Sequence, residues 1–515
     1  MSRLAVSCLV LVSPAVPLEA QLVVEEAYLL DLGAEATEDE LFGETSVTGD
    51  FDADGFDDLV VGVPSATVDG FVEAGRVDVF FGGPGGLQNA PSVSLTQGQA
   101  TPGTACRLSE DLDRFGDTLA VGDFDADSFD DLVVGIPSEE VAIGGQVYED
   151  LGAVAVFWGR ADRTFAPGPC LVYTEGVLPG LLGSFSRFGS GLAVGDFEGD
   201  GYPDLAIGAP GADVDARPAA GTVTVVYSRA GAPLDVTTSQ LWHQNVAGVV
   251  GESDAGDRLG SALATGDLVT GGDTACDLAI GVPNQSVDAF RDGAVMVLFG
   301  CTETGLSSAD SVQYTAASFG RVGQANEQMG LELAIGNFDC DTAEDLAIGA
   351  PGSSGMFFRT GEVRMIYGDQ TTAPRLDVFT AEEAGGGGSS FSRFGSSMTA
   401  ADLGGTCDDL LVASPGIGSA SFFNRVFSLP GIPGVGIDPS AATRHAVDAV
   451  SNWFSLGYSL SNGRFDGDRR WIAAGAPGLE VGGLQMAGRV WMLPSGRIFA
   501  DGFEDGDTSA WIVGR

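Results

Sequence analysis

The residues best suited to chemistry in this sequence are aspartates that alternate with other residues in short loops. Residues 50–58 read Asp-Phe-Asp-Ala-Asp-Gly-Phe-Asp-Asp, with carboxylates at positions one, three, five and nine and glycine at position six. Ca²⁺ takes about six to eight oxygen ligands, and a short loop of alternating aspartates that turns at a glycine can wrap one. The loop is shorter than an EF-hand and lies between apolar segments, which predicts a different kind of calcium site.

The same pattern recurs in three further loops with small departures. Ser128 replaces the glycine in one, Glu198 lengthens the third-position side chain in another, and Asn337 replaces the first aspartate in the last. Aspartate favours any turn, but four loops in register, each before the same apolar run, favour metal sites. The predicted ligands are the side chains at positions one, three, five and nine and the carbonyl at position seven: Asp50, Asp52, Asp54, Phe56, Asp58, Asp123, Asp125, Asp127, Phe129, Asp131, Asp196, Glu198, Asp200, Tyr202, Asp204, Asn337, Asp339, Asp341, Ala343 and Asp345.

Three related loops keep only part of this ligand set. Arg464 stands at the first position of one of them, followed by Asp466 and Asp468, and a cation there argues against a metal. We therefore expect about four Ca²⁺ ions. The other two loops stay open: Asp267, Asp273 and Asp277 in one, and Asp402, Asp408 and Asp409 in the other.

The charge of the chain excludes several classes of partner. There are 72 acidic and 24 basic residues, a formal net charge of −48, and every basic residue is arginine. Such a surface repels the phosphates of nucleic acids and anionic lipids and attracts divalent cations. The absence of lysine excludes any mechanism that depends on a lysine amine.

The acidic loops belong to a repeat that spans the chain. Each repeat has an apolar residue and a glycine, a short apolar strand, the loop, and a strand that in most repeats ends in Gly-x-Pro. The repeats follow one another at 62 to 73 residues, a period that indicates a repeat architecture. The seven marks are Phe42-Gly43, Phe115-Gly116, Phe188-Gly189, Leu259-Gly260, Met329-Gly330, Phe394-Gly395 and Leu456-Gly457.

Each repeat predicts one four-stranded blade. In the second repeat, strands are expected at 119–124, 131–136, 152–158 and 171–174. Seven such blades can close into a ring, which removes exposed sheet edges, so we predict an all-β seven-bladed propeller. The seventh repeat lacks a fourth strand, and we expect residues 21–28 to supply the outer strand of blade seven.

These motifs resemble the FG-GAP repeat family, whose best-known members are the β-propellers of integrin α-subunits. The resemblance covers residues 21–495 and rests on the Phe-Gly marks, the acidic loops and the Gly-x-Pro endings, from which Ala413-Ser414-Pro415 departs. It implies Ca²⁺ in the loops on one face of the disc and a ligand on the opposite face. By that resemblance, 138–150, 212–220 and 381–390 are candidate binding loops, or else variable connectors.

The chain is expected to be exported. Residues 1–20 combine one arginine, a short apolar run and a small residue at the end, as in a signal peptide, and no later apolar run could span a membrane. Residues 496–515 form an acidic and aromatic tail, expected to be an export or attachment tag or an edge strand on blade seven. Without Cys8, six cysteines remain, for which we expect sequential pairing among the possible disulfides: Cys106, Cys170, Cys276, Cys301, Cys340 and Cys407.

Few residues could carry catalysis. The two histidines, His243 and His445, lie in predicted fourth strands, and the sequence has no zinc-protease, serine-hydrolase or phosphate-loop motif. We therefore expect a non-enzymatic, monomeric, exported calcium-binding scaffold, extracellular or periplasmic in a bacterium, that binds a protein or glycan in adhesion. The alternatives are a glycan-active enzyme that uses carboxylates in the central depression and a structural surface-layer component.

Overall fold

A computed structural model describes residues 28–30, 40–88, 90–100, 106, 109–172, 183–269, 275–302, 304–355, 358–368, 375–385, 391–415, 424–445, 456–467, 469–478 and 486–495. These residues form seven four-stranded antiparallel sheets, six of which take their strands in chain order. The fold is a seven-bladed β-propeller, as the sequence predicts. The predicted signal peptide and tail lie outside the described residues, as do Asp273 and Asp468.

Blades 1 to 4 each take four consecutive strands, numbered here from the centre of the ring outwards. The second strand of each blade is a six-residue run buried along its whole length, as expected for a strand covered on both faces. The strands are Thr45–Gly49, Asp58–Val63, Arg76–Phe80 and Val93–Leu95 in blade 1; Thr118–Gly122, Asp131–Ile136, Ala153–Trp158 and Ala166–Leu171 in blade 2; Gly191–Gly195, Asp204–Ala209, Thr222–Arg229 and Ala232–Trp242 in blade 3; and Leu263–Gly266, Asp277–Val282, Ala294–Phe299 and Ser307–Tyr314 in blade 4.

Blades 5 and 6 repeat this order, and blade 7 takes its fourth strand from the N-terminal end of the described chain. Two short hairpins and three short 3₁₀ turns lie between the blade strands: Val141–Ile143 with Gln146–Tyr148, Gly431–Ile432 with Gly436–Ile437, and Gln97–Gln99, Ala316–Phe319 and Pro439–Ala441. The blade strands are Glu332–Gly336, Asp345–Ala350, Glu362–Tyr367 and Arg375–Phe379 in blade 5; Met398–Ala401, Asp409–Pro415, Asn424–Leu429 and Thr443–His445 in blade 6; and Leu460–Gly463, Trp471–Ala476, Arg489–Pro494 and Tyr28–Leu30 in blade 7.

Strand Tyr28–Leu30 closes the ring. It pairs antiparallel with Arg489–Pro494, with Tyr28 opposite Met492 and Leu30 opposite Val490. The prediction that an N-terminal strand completes blade 7 is therefore confirmed, although the strand lies at 28–30 and most of the expected 21–28 is outside the described residues. The join brings together segments more than 450 residues apart, at the cost of loop-closure entropy.

The fourth strand of blade 2 differs from the prediction. It spans Ala166–Leu171 and pairs with Ala153–Trp158, so it begins five residues before the expected 171–174 and shares only Leu171 with it, while residues 173–174 lie outside the described residues. The strand contains Pro167 and Pro169, which argue against a central strand. It is the outermost strand of its blade, however, and an edge strand has fewer N–H groups to satisfy, which is where proline is tolerated.

The Phe-Gly mark and the Gly-x-Pro ending meet where two blades touch. Phe188 is fully buried, and Gly189 donates its N–H to the Gly208 carbonyl at 3.0 Å. Gly135, in the second strand of blade 2, lies so close to the Gly189 carbonyl that any Cβ at that position would overlap it. Glycine is thus required on both sides of the contact, because Gly189 also has a φ of +94°.

The two faces of the disc carry different connections. The first-to-second and third-to-fourth strand loops lie on one face, here the acidic face. The second-to-third loops and the connections between blades lie on the other, here the loop face. In the described part of the chain no helix has the length and hydropathy that crossing a bilayer requires.

Two of the three expected sequential disulfides are present. Cys106 bonds to Cys170, and Cys340 in the acidic loop of blade 5 bonds to Cys407 in that of blade 6. Cys276 and Cys301 are free thiols, so the third pairing is wrong. Cys276 precedes its strand at a position opposite Gly300 rather than Cys301, and burial raises the pKa of its thiol to about 11.

Candidate metal sites and the loop face

The first aspartate shapes each acidic loop in blades 1 to 3. In blade 2, Asp123 accepts the N–H of Asp127 and of Ser128 on its two carboxylate oxygens, both at 3.0 Å. Blades 1 and 3 repeat this with Asp50 and Asp196. The sixth residue has a positive φ, which explains its preference for glycine and places Ser128, at +75°, in the left-handed region.

The ninth aspartate anchors the loop to the blade. In blade 2, Asp131 accepts the N–H of Phe124 and of Gly159, both at 3.0 Å, and is almost wholly buried. Burial raises the pKa of these carboxyls against the donated hydrogen bonds. The pKa values are about 8 for Asp58, Asp131 and Asp204 and about 7 for Asp345.

The anchor extends beyond the four predicted sites. Asp277 accepts N–H groups from Leu268 and Gly300, and Asp409 accepts one from Gly431. These are the two open loops. Their ninth-position aspartate therefore has a structural reason to be present whether or not a metal binds, and it is no evidence for one.

Carboxylate oxygens converge in two of the loops. One oxygen each from Asp50, Asp52 and Asp58 lies within 4.8 Å of the others, and the same holds for Asp123, Asp125 and Asp127. Such oxygens repel one another unless a cation lies between them. This donor set suits a hard divalent cation, which prefers oxygen ligands.

The loop of blade 5 offers a second indication of a metal. Asn337 donates its amide N–H to the Asp341 carbonyl at 2.9 Å, whereas its own amide oxygen is buried and accepts no hydrogen bond. A buried acceptor without a donor is unfavourable, and a cation ligand would satisfy it. The residues of this loop therefore fit Ca²⁺ despite the exchange of aspartate for asparagine.

The departing loops contain competing cations and donors. Arg470 pairs with Asp402, the first-position residue of blade 6. In blade 7, Asp466 accepts the indole N–H of Trp471 at 3.1 Å, and the main chain of Arg464 bonds to Asp57. In both loops, a candidate metal ligand is therefore already engaged by a protein group: Asp402 by an arginine and Asp466 by an indole N–H.

The eighth position has a role that the sequence analysis missed. Asp130 of blade 2 accepts the N–H of Asp50 in blade 1 at 2.8 Å and returns its own N–H to the Asp50 carbonyl at 3.2 Å. Glu344 and Asp408 bind Asp267 and Asn337 of the preceding blade in the same way. The sequence signal was an acid directly before the ninth aspartate. These side chains link the acidic loops of blades 1 and 2, of blades 4 and 5, and of blades 5 and 6.

Arg163 sits on the acidic loop of blade 1. It extends from the third-to-fourth strand connection of blade 2, and its guanidinium donates to Asp52 at 2.5 Å and to Asp54 at 2.7 Å. The guanidinium also lies 5.3 Å from the centre of the Phe81 ring. An internal cation thus occupies two of the predicted calcium ligands in this loop.

The loop face exposes large apolar side chains around the ring. They lie on the second-to-third loops and on the connections between blades, and the three candidate loops are on this face, with 386–390 outside the described residues. Val141–Ile143 and Gln146–Tyr148 form a hairpin within 138–150. The exposed side chains are Phe71, Val72, Leu112, Val147, Phe185, Phe290, Phe358, Phe391 and Met486.

Two carboxylates near the loop-face ends of the first strands of blades 1 and 2 are paired with one arginine. Arg114 contacts Glu44 at 3.2 Å and Asp117 at 2.7 Å. Burial raises the pKa of Glu44, and Arg114 opposes that rise. Glu332, at the same end of the first strand of blade 5, accepts the Met398 N–H instead, and burial raises its pKa to about 8.

The histidines occupy structural positions. His445, in the fourth strand of blade 6, is buried and shares a hydrogen bond with the Ser428 hydroxyl at 3.1 Å. Burial lowers its pKa to about 4. His243 follows the fourth strand of blade 3 rather than lying in it.

Comparison with known proteins agrees with the repeat. The model of the FG-GAP repeat matches residues 42–80, 115–157 and 188–226, which are in the first three blades. Integrin alpha-5 of Xenopus laevis is 35% identical over 181 residues, 33% of this chain and 15% of the relative. Phosphatidylinositol-glycan-specific phospholipase D of Bos taurus is 31% identical over 168 residues, 33% of this chain and 18% of the relative. Integrin alpha pat-2 of Caenorhabditis briggsae is 27% identical over 280 residues, which are 52% of this chain and 19% of the relative. The chain thus spans less than a fifth of each of these relatives.

Proposed function

We propose, on the premise that this chain carries FG-GAP repeats in an integrin-α-like β-propeller, that it is an exported, calcium-stabilised scaffold whose loop face binds an extracellular protein or glycan. The observation that carries this proposal is the ring of exposed apolar side chains on the loop face. Scattered apolar residues are normal on a surface, but their concentration on one face indicates an interaction site.

Calcium has a positioning role in this proposal. The side chains at positions one, three and five and the carbonyl at position seven would hold the ion in blades 1, 2, 3 and 5, and the ninth aspartate anchors the loop beside it. A bound ion neutralises the crowded carboxylates and stabilises the folded ring by mass action. The acidic face would then be rigid while the loop face contacts the partner.

The pairing of Arg114 with Glu44 and Asp117 argues against catalysis by these two carboxylates. Relatives named for a phospholipase activity match only 18% of their length here. We therefore propose no enzymatic activity for this chain.

The proposed function is tested with a loop-face variant. We expect labelled wild-type protein to bind envelopes of the producing organism in the presence of Ca²⁺. The double variant Phe185→Ser and Phe290→Ser should lose most of that binding. The matched control Phe165→Ser changes a phenylalanine on the acidic face and should retain it. Equal binding by all three proteins would contradict the proposal.

Arg163 provides a separate prediction about the first calcium loop. Removing its guanidinium in Arg163→Gln frees Asp52 and Asp54, so we expect Ca²⁺ affinity at this loop to rise several-fold, in line with about 0.2–1 kcal/mol for an exposed ion pair. The measurement is calorimetric titration with Ca²⁺. Arg160→Gln, an exposed arginine of the same connection that pairs with Asp162 instead, is the control. An unchanged or lower affinity in Arg163→Gln would contradict competition.

A further inference from the structure

The connections between blades on the loop face follow one repeated backbone pattern. In blades 1 and 2, the N–H of Leu112 bonds to the Val72 carbonyl and that of Arg114 to the Glu73 carbonyl, at 2.8 and 3.0 Å. The same two hydrogen bonds recur at each of the next four junctions. At the second of each pair of bonds, Arg187 lies opposite Asp150, Arg258 opposite Ala219, Gln328 opposite Arg291, and Arg393 opposite Arg359. At the first, Phe185 bonds to Glu149 and Phe391 to Phe358.

Because the backbone pattern repeats, the charges of the residues at the second hydrogen bond can be compared between junctions. Arg114 has Glu73 opposite at 3.8 Å, and Arg187 has Asp150 opposite at 4.0 Å. In both junctions an arginine on the inter-blade connection faces an acid on the second-to-third loop. Both members of each pair have a positive φ, from 46° to 59°, so the two junctions have the same backbone conformation at these positions.

The junction of blades 5 and 6 breaks this pairing. Arg359 takes the place of the acid, so Arg393 faces a second arginine, with φ values of 51° and 52°. Among the residues that the structure describes, neither guanidinium forms an ion pair with a carboxylate. Burial and the neighbouring Arg359 lower the pKa of Arg393. Arg359 lies over the Phe358 ring, with its guanidinium 5.4 Å from the ring centre. Two like charges that face each other repel, and an external anion between them would relieve that repulsion.

Two phenylalanines flank the arginine pair. Phe358 is 56% exposed and Phe391 is 41% exposed. Their rings meet edge to face, with centroids 5.5 Å apart and planes at 73°. Crossed rings form an angular apolar surface rather than the flat platform on which a sugar ring stacks, and such a surface suits an inserted amino-acid side chain.

We infer that Arg359 and Arg393 bind a carboxylate side chain of a protein partner, while Phe358 and Phe391 contact an apolar side chain next to that carboxylate. The inference rests on the proposed function and specifies its partner as a protein segment with an acid beside an aromatic or aliphatic residue. The two planar guanidinium groups can donate to both oxygens of one carboxylate.

The test uses a labelled peptide, acetyl-Gly-Phe-Glu-Asp-Gly-amide, in fluorescence polarisation at low salt. Wild-type protein should bind it, and added salt should weaken binding. The peptide with Gln-Asn in place of Glu-Asp should bind roughly tenfold or more weakly, because it cannot form charge-assisted hydrogen bonds. Arg359→Glu recreates the arrangement of Glu73 and Arg114, so it should abolish binding while the protein stays folded, as checked by its thermal midpoint.

Arg291→Glu is the matched control. Arg291 follows exposed Phe290 on the equivalent loop of blade 4, but the residue opposite it, Gln328, is neutral. The variant Arg291→Glu makes the same charge change on the same face as Arg359→Glu, and we expect it to keep binding the peptide. Equal loss in both variants, or equal binding of both peptides, would overturn the inference. Binding of oligoglucuronate but not of the peptide would overturn the assignment to a protein partner.

The outcome is separable from that of the proposed function. If Arg359→Glu leaves envelope binding intact while Phe185→Ser with Phe290→Ser removes it, this inference fails and the proposed function stands. If neither variant changes envelope binding, both fail.

Discussion

Replacing Arg364 with methionine is expected to lower the free energy of unfolding by about 3–5 kcal/mol, the usual cost of leaving a buried charge unpaired. Arg364 is 1% exposed in the third strand of blade 5. Its guanidinium donates to Glu362 at 2.9 Å and to Glu327, which is fully buried. Methionine fills similar space but leaves two buried carboxylates without their cation. The measurement is urea unfolding followed by circular dichroism in excess Ca²⁺.

Two further variants separate charge from packing. Arg321→Met removes a half-exposed arginine 4.0 Å from Glu362, and it should cost at most about 0.5 kcal/mol. Adding Glu327→Gln and Glu362→Gln to Arg364→Met should restore most of the loss, because no buried charge then remains. Failure of that rescue would mean that packing, rather than charge, holds this junction.

The loss in Arg364→Met should also depend on pH. Burial raises the pKa of Glu327, and Arg364 opposes that rise in the wild type. Without the arginine, the folded state binds a proton more readily than the unfolded state does, so stability is retained at low pH and lost as the pH rises through the folded-state pKa. The variant should therefore be closer to wild type at acidic than at neutral pH.

Asp131→Ala and Asp125→Ala should separate the anchor from the metal ligand within one loop. Asp131→Ala removes the acceptor of two buried N–H groups and should cost at least about 2 kcal/mol with or without Ca²⁺. Asp125→Ala removes one of three converging carboxylates, so without Ca²⁺ it should be neutral or slightly stabilising. With Ca²⁺ present, it should lose part of the stabilisation that the ion provides.

Each variant serves as the control for the other, because both exchange aspartate for alanine in the same nine-residue loop. Unfolding is measured in excess Ca²⁺ and in excess chelator for each. Equal losses for Asp125→Ala in both conditions would mean that Asp125 does not act through a metal.

The sequence predicted those parts of the fold that depend on local pattern. The fully apolar second strand of blade 2 was predicted at 131–136 and is observed there, because its burial on both faces leaves an unbroken apolar run. The closing strand was predicted from a count of strands per repeat. The fourth strand at Ala166–Leu171 was missed because its prolines obscure an edge strand, whose position depends on the neighbouring strand rather than on its own residues.

The contacts between blades could not be predicted from one repeat alone. Asp130 reaches Asp50, and Arg163 reaches Asp52, only because the ring places consecutive loops side by side. The sequence pattern also could not distinguish the ninth aspartate from the other acids. That aspartate is buried because it accepts a second N–H from the end of the third strand, a contact that exists only in the folded blade. The arginine pair at Arg359 and Arg393 was invisible for the same reason, as the two residues are joined by the geometry of the junction.

The central claim, that the acidic loops are structural calcium sites, is tested most directly by thermal unfolding of the protein with excess Ca²⁺ and with a chelator. We predict a large rise in the midpoint with Ca²⁺ that chelation reverses and that Asp52→Ala with Asp125→Ala diminishes. A midpoint that is the same in Ca²⁺ and chelator would contradict the claim and would leave the converging carboxylates of blades 1 and 2 without a structural role for metal.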